Sequence, residues 1–339
     1  MNTAEVKPLS PTANKGKFAR LLRKNALQIA IVIVLLAIWA FFLSRSPRTF
    51  LGYDIYYSLL STTPYFAIMA IPLTLVVIAK EIDLSFPSVM AFGMAAFDLV
   101  FVACGSTNTG IFLGLVACLV AGAFAGWLNG FVVTKLGIPS LVATIGTQFL
   151  WRGVVMVLTN GQGLGMTQVS NTILYPLLVG KLFNVIPAQF IWTIAIGVAI
   201  WFILNHTRFG AHVYLTGDNV DSARLMGVDV DRTKMITFTL VGLFAAFAGF
   251  IVSSSLMFFW PTMGDGYLLN TLASVFLGGT SVFGGTGTIF GTFIAAFIIA
   301  IINPGIVAAG WLAYWTQLIY GFIIVISVVL QAVLRKRFS

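Results

Sequence analysis

Ten apolar runs follow one another along the chain, at residues 26–43, 58–79, 86–104, 110–134, 138–158, 188–204, 235–256, 267–283, 284–302 and 312–334. Each falls near the roughly 17–25 residues that carry a helix through the hydrocarbon of a bilayer. No soluble fold buries such a succession, because backbone polar groups in lipid must be satisfied within the chain itself. The expected fold is therefore all-α and polytopic, with about ten transmembrane helices. Composition points the same way: 59% of residues are hydrophobic and 9% charged, against about a quarter charged in soluble domains.

Charge then orients the chain. Residues 1–25 carry Lys7, Lys15, Lys17, Arg20, Arg23 and Lys24 ahead of the first run. That run is followed by Ser44-Arg45-Ser46-Pro47-Arg48 in place of a small-residue cleavage site, so it reads as an anchor and not as a signal sequence. With ten spans and residues 1–25 inside, fifteen Lys and Arg face the cytoplasm, three face out, and Arg152 lies within a span. The expected organisation is a cytoplasmic tail at 1–25, a transmembrane domain at 26–334 and a short cytoplasmic tail at 335–339. A net charge of +9 would suggest nucleic acid in a soluble chain, but here membrane orientation accounts for it and no nucleic-acid partner is expected.

One hydrophilic island interrupts the oily sequence. Residues 206–234 hold Arg208, Asp218, Asp221, Arg224, Asp229, Asp231, Arg232 and Lys234. Within it, Asn219 to Val228 (NVDSARLMGV) predicts a short helix, capped by Asp218 or Asn219 and stopped at Gly227. Such a loop is either a plain cytoplasmic connection or a docking surface for another protein.

Catalytic constellations are absent from the sequence. His206 and His212 lie six apart in or beside the island, unsuited to a zinc pair or a nucleophile relay. Cys104 and Cys118 lack metal-ligand spacing. The glycine run Gly278 to Gly291 (GGTSVFGGTGTIFG) has no Lys in P-loop position, and no GxxxxGK[ST] occurs in the chain. No metal or cofactor is expected on this chain, and ATP would be used by another subunit. The same run weakens the helix signal at 278–291, leaving open one span, two half-helices or a re-entrant segment. Gly122, Gly126 and Gly130, like Gly287 and Gly291, recur every four residues and offer small faces for close helix approach.

Polar residues in or beside spans are the leads to a transport path. Asp83 follows Lys80 and Glu81 in a turn, where Lys80 and Asp83 would pair if that turn were helical. Asp98 is the one fair candidate for a midplane acid, and it and Arg152 suit cavity lining or structural pairing equally. Asn129, Thr144, Gln148, Asn303 and Gln317 suit either hydrogen bonding to a polyhydroxylated solute or helix-to-helix bonding.

Several stretches in order carry a family likeness. They are Lys80-Glu81-Ile82-Asp83-Leu84-Ser85-Phe86-Pro87-Ser88-Val89-Met90, Asn129-Gly130, Ile138-Pro139-Ser140-Leu141-Val142-Ala143-Thr144-Ile145-Gly146, Arg152-Gly153 and Leu158-Thr159-Asn160-Gly161. They continue with Thr207-Arg208-Phe209-Gly210, Thr216-Gly217-Asp218-Asn219, Ala223-Arg224-Leu225-Met226-Gly227-Val228, Leu277-Gly278-Gly279-Thr280-Ser281 and Gly284-Gly285-Thr286-Gly287. Together they resemble the permease subunits of ABC importers for monosaccharides such as ribose, xylose and galactose. The resemblance implies a subunit that pairs with a second permease, identical or related, around a central path in the bacterial inner membrane. It further implies a cytoplasmic ABC ATPase and a periplasmic or lipid-anchored solute-binding protein as partners, besides membrane lipid.

Residues Gly217, Asp218, Asn219, Asp221, Ala223, Arg224, Leu225 and Gly227 would then form the ATPase-coupling surface. Asp83, Asn129, Thr144, Gln148 and Asn303 are the candidates for the translocation path. The family's turn has Gly-Gly where this chain has Lys80-Glu81, and glycine where it has Pro87, so a tight Gly-Gly turn is not assumed. Two rival classes stand beside this reading: a self-sufficient secondary transporter or channel, and a membrane-embedded enzyme, the latter lacking any nucleophile or cofactor motif.

Overall fold

The structure, a computed structural model, describes residues 26–338, with side chains from residue 28 onward except at the end of the last helix. The expected tail at 1–25 lies outside the described residues. The helices in chain order are α1 (Ala26–Arg45), α2 (Pro47–Phe50), α3 (Tyr53–Thr62), α4 (Pro64–Ile78), α5 (Phe86–Ala103), α6 (Asn108–Lys135), α7 (Ser140–Thr159), α8 (Leu174–Leu178) and α9 (Ala188–His206). They continue as α10 (Arg208–Asp218), α11 (Val220–Leu225), α12 (Val230–Leu256), α13 (Leu268–Leu277), α14 (Ile289–Ala308) and α15 (Tyr314–Phe338). The only strands among the described residues are two-residue pairs: β1 (Leu164–Gly165) with β4 (Phe258–Phe259), and β2 (Lys181–Leu182) with β3 (Ile186–Pro187). The fold is thus all-α, and α15 runs on through the segment expected as a tail from residue 335.

Eight of these helices are long and apolar enough to cross a membrane, and nine spans result if the bent pair α3–α4 is one of them. That pair bends by 45° at Thr63. Pro64 has no amide to donate there, and its ring collides with the carbonyl four residues back. The span expected at 267–283 is not found as a full crossing. Its helix, α13, has ten residues and covers about 15 Å of a ~30 Å hydrocarbon layer at 1.5 Å per residue. Residues 278–288 leave the helical path, with φ of +85°, +82° and +74° at Gly279, Gly284 and Gly285. The run expected at 284–302 accordingly starts its helix only at Ile289, where the Thr288 hydroxyl accepts from the Gly291 amide.

Around this break the core is built on α4, whose side chains from Pro64 to Ile78 are all buried. Helices α6 and α12 pack backbone to backbone. Gly122 and Gly126 lie directly on the backbone of Gly242 and Phe238, so a Cβ at either would collide with those carbonyls. Lipid tails are as apolar as leucine, so helices in a bilayer gain from packing and not from escaping water, and small residues maximise that packing.

Gly242→Val is expected to lower thermal stability in detergent by the ~1–3 kcal/mol typical of overpacking. Gly146→Ala, on an open face of α7 with nothing within 4 Å of the added carbon, is expected to hold or slightly raise it. Equal melting temperatures for the two variants in a fluorescence-monitored melt would refute the packing argument.

Candidate functional site

The charged island folds as two helices and not as one helix in a loop. Thr207 caps α10 by accepting from the Gly210 amide at 3.3 Å, and Asn219 caps α11 by accepting from the Ser222 amide at 2.9 Å. The predicted short helix is therefore present with its Asn219 cap, and Gly227 stops it at φ +81°. The eleven-residue α10 ahead of it was read in the sequence as loop.

Ala223, Val228 and Val230 make a small core beneath α11, with Leu215 and Val220 packed on it. At the tip, Leu225 is 90% exposed and Met226 60%. Together they set an apolar tip on an otherwise polar protrusion. Leu225 was among the expected coupling residues, whereas Met226 was not. Arg224 turns back toward Asp231 at 3.4 Å, and Asp231 also takes the Lys135 ammonium at 2.9 Å. Its charge is thus partly committed within the chain.

The base of this protrusion sits on the glycine-rich break. Gly217 lies against the Ile78 carbonyl so closely that a Cβ would collide with it. Gly285 donates its amide to that same carbonyl at 2.9 Å. The Tyr214 hydroxyl donates to the Gly287 carbonyl at 3.0 Å. From α15, Gln331 accepts from the Val282 amide at 3.1 Å and donates to the Thr280 carbonyl at 3.1 Å. Backbone off the helical path persists there because protein groups satisfy it. Tyr214 and Gln331 were both missed by sequence reading, although Gln331, like Gln317, is a visible polar intruder in the last apolar run.

Residues 79–85 form the turn that this end of the bundle shares. Lys80 adopts φ +66°, and the Glu81 amide closes on the Val76 carbonyl at 3.0 Å. This is the left-handed helix stop that glycine usually supplies, kept here by a lysine at a cost of roughly 1–2 kcal/mol. The turn is not helical, so Lys80 and Asp83 do not pair. Glu81 instead meets Lys234 of α12 at 2.5 Å, with both side chains about one-seventh exposed, at 13% and 14%.

Asp83 points into the protein and is 1% exposed. Its Oδ1 accepts from the Ser85 amide and the Ser85 hydroxyl, each at 2.7 Å, and Asn129 Nδ2 donates to that hydroxyl at 2.6 Å. Ser140 Oγ accepts from the Ile82 amide at 3.1 Å, and the Thr144 hydroxyl donates to the Ser140 carbonyl at 2.7 Å. Three of the expected path residues, Asp83, Asn129 and Thr144, therefore converge on one buried polar cluster where α4, α5, α6 and α7 meet. Asn129 Oδ1 and Ser88 Oγ are buried there without a hydrogen-bond partner.

Gln148 follows half-buried, one helical turn beyond Thr144 on α7. Asn303 is elsewhere: exposed near the far end of α14, it accepts from Thr316 of α15 at 3.2 Å. Gln317 is exposed on α15. Arg152 is structurally engaged, donating to the carbonyls of Pro261 and Met263 and to Asp265. A groove of about 410 Å³ between α9 and α14 is lined by Phe190, Trp201, Phe293 and other apolar residues. It offers no hydrogen bond to a polar solute and stands apart from the cluster.

Burial pushes the Asp83 carboxyl above the usual carboxylate range, and the hydrogen bonds from Ser85 and Asn129 oppose that push without cancelling it. A raised acid binds its proton more tightly in the folded state, so its contribution to stability falls as pH rises from the ordinary value toward the raised one. Asp83→Asn keeps the acceptor oxygen and removes the charge. It is expected to be stabler than the parent at pH 8 and to flatten the pH dependence of the melt. A variant less stable than the parent at pH 8 would overturn the assignment.

Comparison with known proteins adds an independent line. A family described as "Branched-chain amino acid transport system / permease component" matches residues 55–328. The ribose import permease protein RbsC of Escherichia coli (strain K12) is 34% identical over 88% of this chain and 92% of its own. The autoinducer 2 import system permease protein LsrC of Photorhabdus laumondii is 34% identical over 83% of this chain and 84% of its own. The protein of the same name from Yersinia pseudotuberculosis serotype O:3 is 31% identical over 85% and 80% respectively. No solved structure matches the chain.

Proposed function

Because the chain belongs to the family of transport-system permease components matched over residues 55–328, we propose that it is the membrane subunit of an ATP-binding-cassette importer for a monosaccharide or sugar-like solute. The ribose and autoinducer 2 import permeases, at 34% identity over most of the chain, support that solute class over the amino acids in the family's description. The membrane is the bacterial inner membrane, crossed many times by the apolar helices.

The structural observation that carries the mechanism is the protruding α10–α11 unit with Leu225 at its tip. The end of the bundle that bears it also bears Lys80, Lys135 and Lys234, the pattern of a cytoplasmic face. A cytoplasmic ABC ATPase grips this unit there, spends the ATP, and moves it as a rigid body. Gly217, Asp218, Asn219, Asp221, Ala223, Arg224, Leu225 and Gly227 form or support the contact. A second permease completes the path, and a periplasmic or lipid-anchored binding protein delivers solute. The polar cluster of Asp83, Asn129 and Thr144, with Gln148 above it, lies at the inner end of the path. Asn303, near the other end of α14, is placed to meet solute earlier.

Proteoliposomes holding the permease with its ATPase and binding protein are expected to accumulate ribose only when ATP is supplied. Ion-gradient-driven uptake by the permease alone would favour the self-sufficient carrier, and uptake of leucine but not ribose would favour the amino-acid class. Leu225→Asp is expected to weaken ATPase binding by about tenfold or more, roughly 1.4 kcal/mol, in a pull-down titration. Undiminished binding would remove Leu225 from the contact.

A further inference from the structure

We propose that the Glu81–Lys234 ion pair is a positioning link that carries displacement of the coupling segment into the 79–85 turn, and from there to the buried polar cluster. The inference rests on the importer reading above and adds to it the route by which movement reaches the path.

Lys234 stands in the first turn and a half of α12, directly after the protrusion, so it moves with α11 and the small core of Ala223, Val228 and Val230. Glu81 stands in the turn, two residues before Asp83. The 2.5 Å contact between them is largely shielded, at 14% and 13% exposure. A charge so placed keeps its partner, because separation would leave it desolvated and alone. Pushing Lys234 therefore pulls Glu81.

The turn has little freedom to absorb that pull. Ile82 is held to Ser140 and Thr144 of α7, and Ser85 to Asp83 and Asn129. The other joint between protrusion and turn, Gly217 packed against the Ile78 carbonyl, is a steric contact that transmits compression, while the ion pair also transmits tension. In the pattern that the sequence resembles, position 81 is glycine, which can make no such link. The pair is thus a feature of this chain and not of that pattern.

The test uses the complete importer, with ATPase and binding protein, in nanodiscs. Ser88→Cys serves as reporter, since Ser88 follows Ser85 at the edge of the cluster and its Oγ is buried without a partner. Maleimide labelling of that cysteine, read by mass spectrometry, is compared with and without ATP plus vanadate. Nucleotide is expected to change the labelling rate by about tenfold, within the usual span of coupling between sites. Glu81→Gln and Lys234→Met are each expected to bring that ratio close to one while the ATPase stays bound. The exchanged pair, Glu81→Lys with Lys234→Glu, is expected to restore most of it.

A nucleotide response that survives both single changes, fails to return in the exchanged pair, or is missing with the native pair overturns the proposal. Loss of ATPase binding in the single variants also overturns it, since the pair would then serve docking. Failure of the importer reading is seen separately, as an ATPase that does not bind the unaltered permease.

Discussion

A single carbonyl, that of Ile78, holds together three parts of this molecule that the chain keeps far apart. At the end of α4 it lacks a partner within its own helix. The amide of Gly285 supplies one at 2.9 Å, and Gly217 packs against it from the protrusion. Both contacts require the absence of a side chain. A Cβ on Gly217 would meet the carbonyl itself, and Gly285 holds φ +74° with the backbone of Asp218 alongside. The glycines therefore act by letting backbone reach backbone. Buried away from water, that is how a broken helix stays satisfied.

Packing in the rest of the bundle follows the same economy. Where α6 meets α12, Gly122 and Gly126 bring two helices into backbone contact along their length. Where polar groups enter the interior they come as a relay, with Asn129 donating to Ser85 and Ser85 to Asp83. A relay of short side chains costs less entropy to order than a long charged pair. It also leaves Asn129 Oδ1 and Ser88 Oγ unpartnered in the cluster. Such atoms are expensive to bury unless they meet a donor at some stage of the working cycle.

Hydropathy was sufficient to find eight spanning helices and the bent pair, because each is a long apolar run and α-helix is the economical way to bury its backbone. It failed at α13 for a physical reason. A ten-residue helix followed by glycine-rich coil has the same oily composition as a full span, and composition does not report backbone path. The glycines of 278–291 marked the place without deciding among its forms. In the island, Asn219 and Gly227 specified α11 by local chemistry, whereas α10 went unseen because its one apolar face is packed by tertiary contacts such as Tyr214 on Gly287. The helix stop at Lys80 was left open by the sequence, since a lysine does not announce the left-handed backbone it adopts there. Asp83, Asn129 and Thr144 were each legible as polar intruders, but their meeting belongs to the packing of four helices. The same packing sends Asn303 to a separate place.

Leu225 has an implication for how such a protein is made. Among the described residues nothing covers it, so under the proposed importer reading a copy without its ATPase presents an oily fingertip to the cytosol. Burying a leucine is worth about 1.5–3 kcal/mol, so whatever first offers an apolar hollow will take hold of it. Under the proposed importer reading, assembly with the ATPase conceals the tip, so the side chain that makes a lone subunit adhesive is the one that holds the assembled machine together.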